Sequence, residues 1–163
     1  MKNKYLLLGI FIGALIVGLY YFYTSNEGGF RTDKYGSFKE LTAVVYKTPN
    51  CNCCENYITY LNSNGFKVEK KDVSDEELTN LKKQIGLPED LWSCHTVLLN
   101  NYFIEGHIPI EAIEKLLTEK PEIDGIALPE MPSGSPGMPG FKLEKWKIHS
   151  VKNGQDQGIF IEI

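Results

Sequence analysis

The chain has 163 residues, 4 cysteines, 42% hydrophobic content and a formal net charge of −4. That length holds one domain of roughly 100–150 residues beside an apolar N-terminal segment, and the mildly acidic balance lacks the basic footprint of nucleic-acid binding. Four cysteines in a chain of this size do not make a disulfide scaffold either, so the thiols need another account.

From Tyr5 to Tyr23 the chain carries no charged residue. At about 1.5 Å per residue such a helix nearly matches the roughly 30 Å hydrocarbon core of a bilayer. Lys2 and Lys4 precede the run, and Tyr20, Tyr21, Phe22 and Tyr23 close it where an aromatic belt would lie. Aromatic side chains stand where a cleavable leader would place small residues. We therefore read residues 1–23 as an uncleaved single-pass anchor to the cell membrane and residues 24–39 as a tether. Residues 40–163 form the domain, placed on the extracytoplasmic side.

Leu41–Tyr46 is an apolar, β-branched run that predicts a buried strand, broken by Pro49 and Asn50. Cys54, Tyr57, Ile58 and Leu61 then share one face of a helix that ends at Asn64 and Gly65. Phe66–Val73 predicts a second strand. Ser74 and Glu77 form a capping box that opens a helix with Leu78, Leu81 and Ile85 inward. Thr96–Leu99 and Tyr102–Ile104 flank Asn100 and Asn101 as a tight hairpin. Pro109 starts a helix with Ile110, Ile113, Leu116 and Leu117 on one side, and Pro121 stops it. A segment rich in proline and glycine runs from Pro129 to Gly140. Leu143–Val151 and Gly158–Ile163 predict a final hairpin.

The order β-α-β-α-β-β-α is that of a thioredoxin-like α/β fold, here followed by the Pro/Gly-rich loop and the hairpin. In that architecture residues 51–54, Cys-Asn-Cys-Cys, fall at the start of the first helix, where partial positive charge and free N–H groups favour a thiolate. The loop before the third strand, Ser93-Cys94-His95-Thr96, falls opposite.

Four motifs are similar to those of the CopG-type copper-resistance proteins, long catalogued as a domain of unknown function. They are Tyr46-Lys-Thr-Pro-Asn-Cys51-Asn-Cys53-Cys54, Ser93-Cys94-His95-Thr96, Ile104-Glu-Gly-His107-Ile-Pro109 and Gly134-Ser-Pro-Gly-Met138. The resemblance spans residues 40–163. It implies a thioredoxin-like fold outside the cytoplasm, copper held by Cys51, Cys53, Cys54 and Cys94, and Cu(I)/Cu(II) redox chemistry in copper tolerance. A protein that accepts or supplies electrons or copper is the partner it implies.

The residues by themselves leave three chemistries open. Soft thiolates suit Cu(I), and the crowded Cys-x-Cys-Cys spacing suits bridging sulfurs in a multinuclear thiolate cluster. Zinc prefers two separated cysteine pairs. Cys51 and Cys54 also form a Cys-x-x-Cys pair at a helix start, the arrangement of a thiol–disulfide oxidoreductase. His95 and His107 are candidate ligands or orienting groups, and Met138 and Met131 offer thioethers from a segment that would fold over the site as a lid. His149 is expected at the surface. No constellation for hydrolysis or phosphoryl transfer is evident, and whether the protein is an enzyme turns on copper redox chemistry.

Overall fold

In the computed structural model of the chain, which describes residues 38–163, the apolar run after Leu41 becomes strand β1, Thr42–Lys47. Helix α1 (Asn52–Ser63), strand β2 (Lys67–Asp72) and helix α2 (Asp75–Gln84) follow. Then come strands β3 (His95–Leu99) and β4 (Tyr102–Glu105), and helix α3 (Ile110–Glu119). Strand β5 (Gly125–Ala127) and the closing hairpin of β6 (Lys147–Lys152) and β7 (Gln155–Glu162) complete the sheet. The expected anchor, residues 1–23, lies outside the described residues. Among the described residues no helix is long and apolar enough to cross a membrane.

The seven strands form one mixed sheet in the order β2-β1-β3-β4-β5-β6-β7. β1 runs parallel to β2 and antiparallel to β3, and β4 runs parallel to β5. The elements expected between residues 40 and 163 are all present. The structure adds β5, whose three residues Gly-Ile-Ala are too short to show a strand pattern. It joins the final hairpin to the rest of the sheet.

Alternation along the strands gives the sheet two faces. Ala43, Val45, Val97, Leu99, Ile104 and Ile126 belong to the larger core, together with Tyr57 and Leu61 of α1 and Ile113 and Leu116 of α3. Each fully buried Leu or Ile there contributes about 1.5–3 kcal/mol. Phe103, Ala127 and Val151 pack with Leu87 and Leu91 in a second, smaller core. On α2 the capping box is formed as expected. Its buried residues are Leu78 and Lys82, however, while Leu81 and Ile85 are half-buried. Ile85 falls at the helix C-cap, so the inward stripe passes through a lysine instead.

The register brings three chain segments together. Lys47, which ends β1, pairs with His95, which starts β3, and Thr96 of β3 pairs with Glu105, which ends β4. The segments following β1 and β4 and the one preceding β3 therefore meet at one edge of the central strands.

Candidate metal centre

Cys51 is the N-cap of α1 in extended backbone, so Cys53 and Cys54 lie in the first helical turn. Cys94 sits in the loop just before β3. The sulfurs of Cys51, Cys53, Cys54 and Cys94 all lie within 4.8 Å of one another. Cys53 Sγ is 3.5 Å from Cys51 Sγ and 3.8 Å from Cys94 Sγ, and links the two arms of the cluster. Cys51 and Cys54 are joined as a disulfide with Cα atoms 5.3 Å apart, whereas Cys53 and Cys94 are free thiols. Cys54 is fully buried and directs its sulfur toward the Cys94 carbonyl, 3.7 Å away.

Two imidazoles complete the group. His95 Nδ1 is 3.3 Å from Cys94 Sγ, and His107 Nε2 is 3.2 Å from the same sulfur. Both rings are buried and meet edge to face at 4.9 Å, with the Tyr57 ring 4.6 Å from His95. His107 Nδ1 lies 2.6 Å from the Pro136 carbonyl. A carbonyl only accepts, so Nδ1 carries the proton and Nε2 turns a lone pair toward the sulfurs. That is the arrangement of a metal-ligating histidine oriented from behind by a carbonyl. His95 Nε2 is a buried nitrogen with no hydrogen-bond partner. Of the sequence candidates, then, four cysteines and two histidines converge.

The Pro/Gly segment covers this group. Asn56 Nδ2 donates to Gly137 O at 3.2 Å, and Ser135 is buried with its hydroxyl on Pro132 O at 2.7 Å. Gly137 has φ +83°, and a Cβ there would meet Tyr57 N at 2.8 Å and Cys53 O at 2.9 Å. Only glycine lets the strap lie this close to α1. Met138 lines an open groove with Asn52, Cys53 and Asn56, beside the free thiol. Met131 is 36% exposed and is not among the residues lining that groove. His149 is half-buried and pairs with Asp156 at 2.9 Å, away from the sulfurs in the final hairpin.

The sequence reading missed the buried charges around the cluster. Lys47 is fully buried. Its ammonium donates to Thr48 O at 3.0 Å, just before the cysteine triplet, and pairs with Glu55 and Asp72, each at 2.9 Å. Lys82 and Glu105 form a second, more deeply enclosed pair behind Ser93. The available signals were faint. Lys82 stands four residues after Leu78 on the inward face of α2, and Glu105 ends an otherwise apolar strand.

Burial, and then the neighbouring Cys53, push the Cys94 thiol up to about 12, and burial pushes both histidines below their ordinary value. At neutral pH Cys94 is therefore held as a thiol and His95 and His107 as neutral imidazoles. The donors of the group fit a soft ion once the disulfide is reduced, since thiolate and neutral imidazole both suit copper. A metal must displace the Cys94 proton, whereas neither histidine has a proton to lose above about pH 6.5. We expect the Cu(I) affinity of the reduced protein to fall about tenfold or more for each unit the pH drops from 8.5 to 6.5. Chelator competition, corrected for protonation of the chelator, measures this, and a flat profile would contradict the assignment of Cys94.

Two solved structures of a copper resistance protein CopG, form 2 and form 1, are similar to this chain. Each is 35% identical to it with a TM-score of 0.67. The match covers 76% of this chain and 98% and 97% of theirs. Residues 91–138 match the family described as a protein of unknown function, DUF411. No curated protein matches the chain.

Proposed function

Because this chain belongs to the CopG-type copper-resistance family, we propose that it binds copper through Cys51, Cys53, Cys54 and Cys94. In this reading it serves copper resistance by sequestering the ion or setting its oxidation state. The observation that carries the reading is the convergence of four sulfurs within 4.8 Å, with two buried imidazoles against Cys94. A strand order that places the triplet at a helix start supports a thioredoxin-like description of the fold. The uncharged run from Tyr5 to Tyr23 supports a membrane anchor, and the short tail with Lys2 and Lys4 before it supports an extracytoplasmic domain.

The Cys51–Cys54 couple, in its reduced dithiol form, would give the site its electrons. Oxidation of the Cys51 and Cys54 thiols to their disulfide releases two electrons and two protons, enough to reduce two Cu(II) ions to Cu(I). Cys53, Cys94 and the imidazoles then offer soft donors to the reduced ions. Restoring the dithiol requires a reductant, so a protein electron donor is the partner this reading implies. His107, itself fully buried, holds its lone pair toward Cys94 by donating to Pro136 O on the strap.

A second reading rests on the same disulfide. Cys51 and Cys54 at the start of α1 form the couple of a thiol–disulfide oxidoreductase without metal. The test uses the full chain, reduced without oxygen in detergent and loaded with Cu(I). More than one copper per chain supports the cluster. No bound copper together with reduction of insulin disulfides supports the dithiol enzyme.

A further inference from the structure

Ser93, the residue before Cys94, is held by side chains on both of its backbone groups. Glu105 Oε1 accepts from Ser93 N at 2.6 Å, and Lys82 Nζ donates to Ser93 O at 2.7 Å. The lysine and the carboxylate are themselves in contact. Glu105 Oε2 accepts from Thr96 Oγ1 at 2.6 Å. One carboxylate thus grips the chain on both sides of Cys94, at Ser93 and at Thr96.

This clamp works from the face of the sheet away from the sulfurs. Glu105 alternates with Ile104, and Thr96 with Val97; Ile104 and Val97 lie in the larger core beside α1. Lys82 reaches the clamp from α2, with the Trp92 ring 5.9 Å from its ammonium. Glu105 is fully buried and Lys82 is 3% exposed. Lys47, the other buried lysine among the described residues, differs: it shares partly exposed Glu55 and Asp72, both also reached by Lys70.

A buried ion pair is weak evidence for stability, because apolar replacements often do as well, and it needs another reason to be there. We propose that the Lys82–Glu105 pair is the positioning device of the sulfur centre, fixing the Ser93–Thr96 segment so that Cys94 presents its sulfur to Cys53. Lys82 and Glu105 contribute no atom to the clustered sulfurs and imidazoles and act through Ser93 and Thr96. The inference rests on the reading of Cys94 as a ligand, yet it also makes a claim about thiol geometry that holds without copper.

The test uses the full chain and the double variant Lys82→Met/Glu105→Gln, which removes both charges together and leaves no lone buried ion. Two readouts are taken. In the protein with the Cys51–Cys54 disulfide formed, diamide takes two electrons and two protons from Cys53 and Cys94 as they join. The rate of that joining reports their approach. In the reduced protein, chelator competition reports Cu(I) affinity, and near-ultraviolet absorption reports the thiolate–copper bands. The double variant is expected to join Cys53 to Cys94 at least about tenfold more slowly and to lose about 10–100-fold in Cu(I) affinity, with altered bands. Its Cys51–Cys54 midpoint potential is expected to stay unchanged. A joining rate and affinity within twofold of the parent would overturn the proposal, whatever happens to the melting temperature. Should the parent bind no copper, the functional reading fails while the joining rate still decides the positioning claim. Where the double variant does not fold, Thr96→Val removes one donor to Glu105. A joining rate a few-fold slower is then expected, and an unchanged rate overturns the proposal.

Discussion

Reduced Cys53→Ser protein is expected to bind Cu(I) at least about 100-fold more weakly than the parent, beyond the 10–100-fold usual for losing a group that only orients a ligand. Cys53 is the sulfur between the two arms, 3.5 Å from Cys51 and 3.8 Å from Cys94. Serine keeps the shape of the side chain but offers a hard oxygen, which Cu(I) disfavours. The same variant should still form the Cys51–Cys54 disulfide, whose two cysteines bond without Cys53. Copper loading and disulfide formation therefore separate in one protein. Chelator competition on the reduced variant, with mass spectrometry of the oxidised one, measures both. Undiminished loading would remove Cys53 from the centre.

The second large effect is expected at Gly106. This residue has φ +76°, and a Cβ on it would lie 2.6 Å from Leu128 O, 2.8 Å from Ser93 Oγ and 2.9 Å from Ser93 Cβ. Its N–H also donates to His95 O at 3.1 Å, so it cannot move without pulling on β3. Gly106→Ala therefore combines a left-handed backbone, which costs about 1–3 kcal/mol, with overpacking, which costs a similar amount. A loss of about 2–6 kcal/mol in urea unfolding is expected. Copper affinity should fall with it in the fraction that folds, because Gly106 lies between the clamp residue Glu105 and the imidazole of His107, and against Ser93. A stable variant with full copper affinity would show that this turn does not hold the site.

What the sequence made legible was set by local pattern. The cysteine triplet reads as a helix start because Cys54, Tyr57 and Leu61 keep helical spacing behind it, and those three residues are the buried face of α1. The approach of Cys94 followed from strand order, since β3 antiparallel to β1 brings its start beside the end of β1. The state of the thiols was not legible. Spacing allowed both a four-sulfur metal site and a Cys51–Cys54 pair, and the structure holds that pair oxidised while all four sulfurs stay together. The buried charges were harder still. A lysine in a helix reads as solvent-facing, and Lys82 is buried because Glu105 and Ser93, on distant segments, give its ammonium three-dimensional partners. His107 reads from the sequence as a candidate ligand or orienting group, and only the distant Pro136, on the strap, fixes its tautomer.

Copper-edge X-ray absorption of the reduced, Cu(I)-loaded full chain is the most direct test of the sulfur centre. A first shell dominated by sulfur is expected, with a copper–copper distance from bridged ions; in the Cys94→Ser protein the sulfur count is expected to fall and the copper–copper feature to be lost. A shell of nitrogen and oxygen alone, or a sulfur shell unchanged by Cys94→Ser, would contradict the sulfur centre.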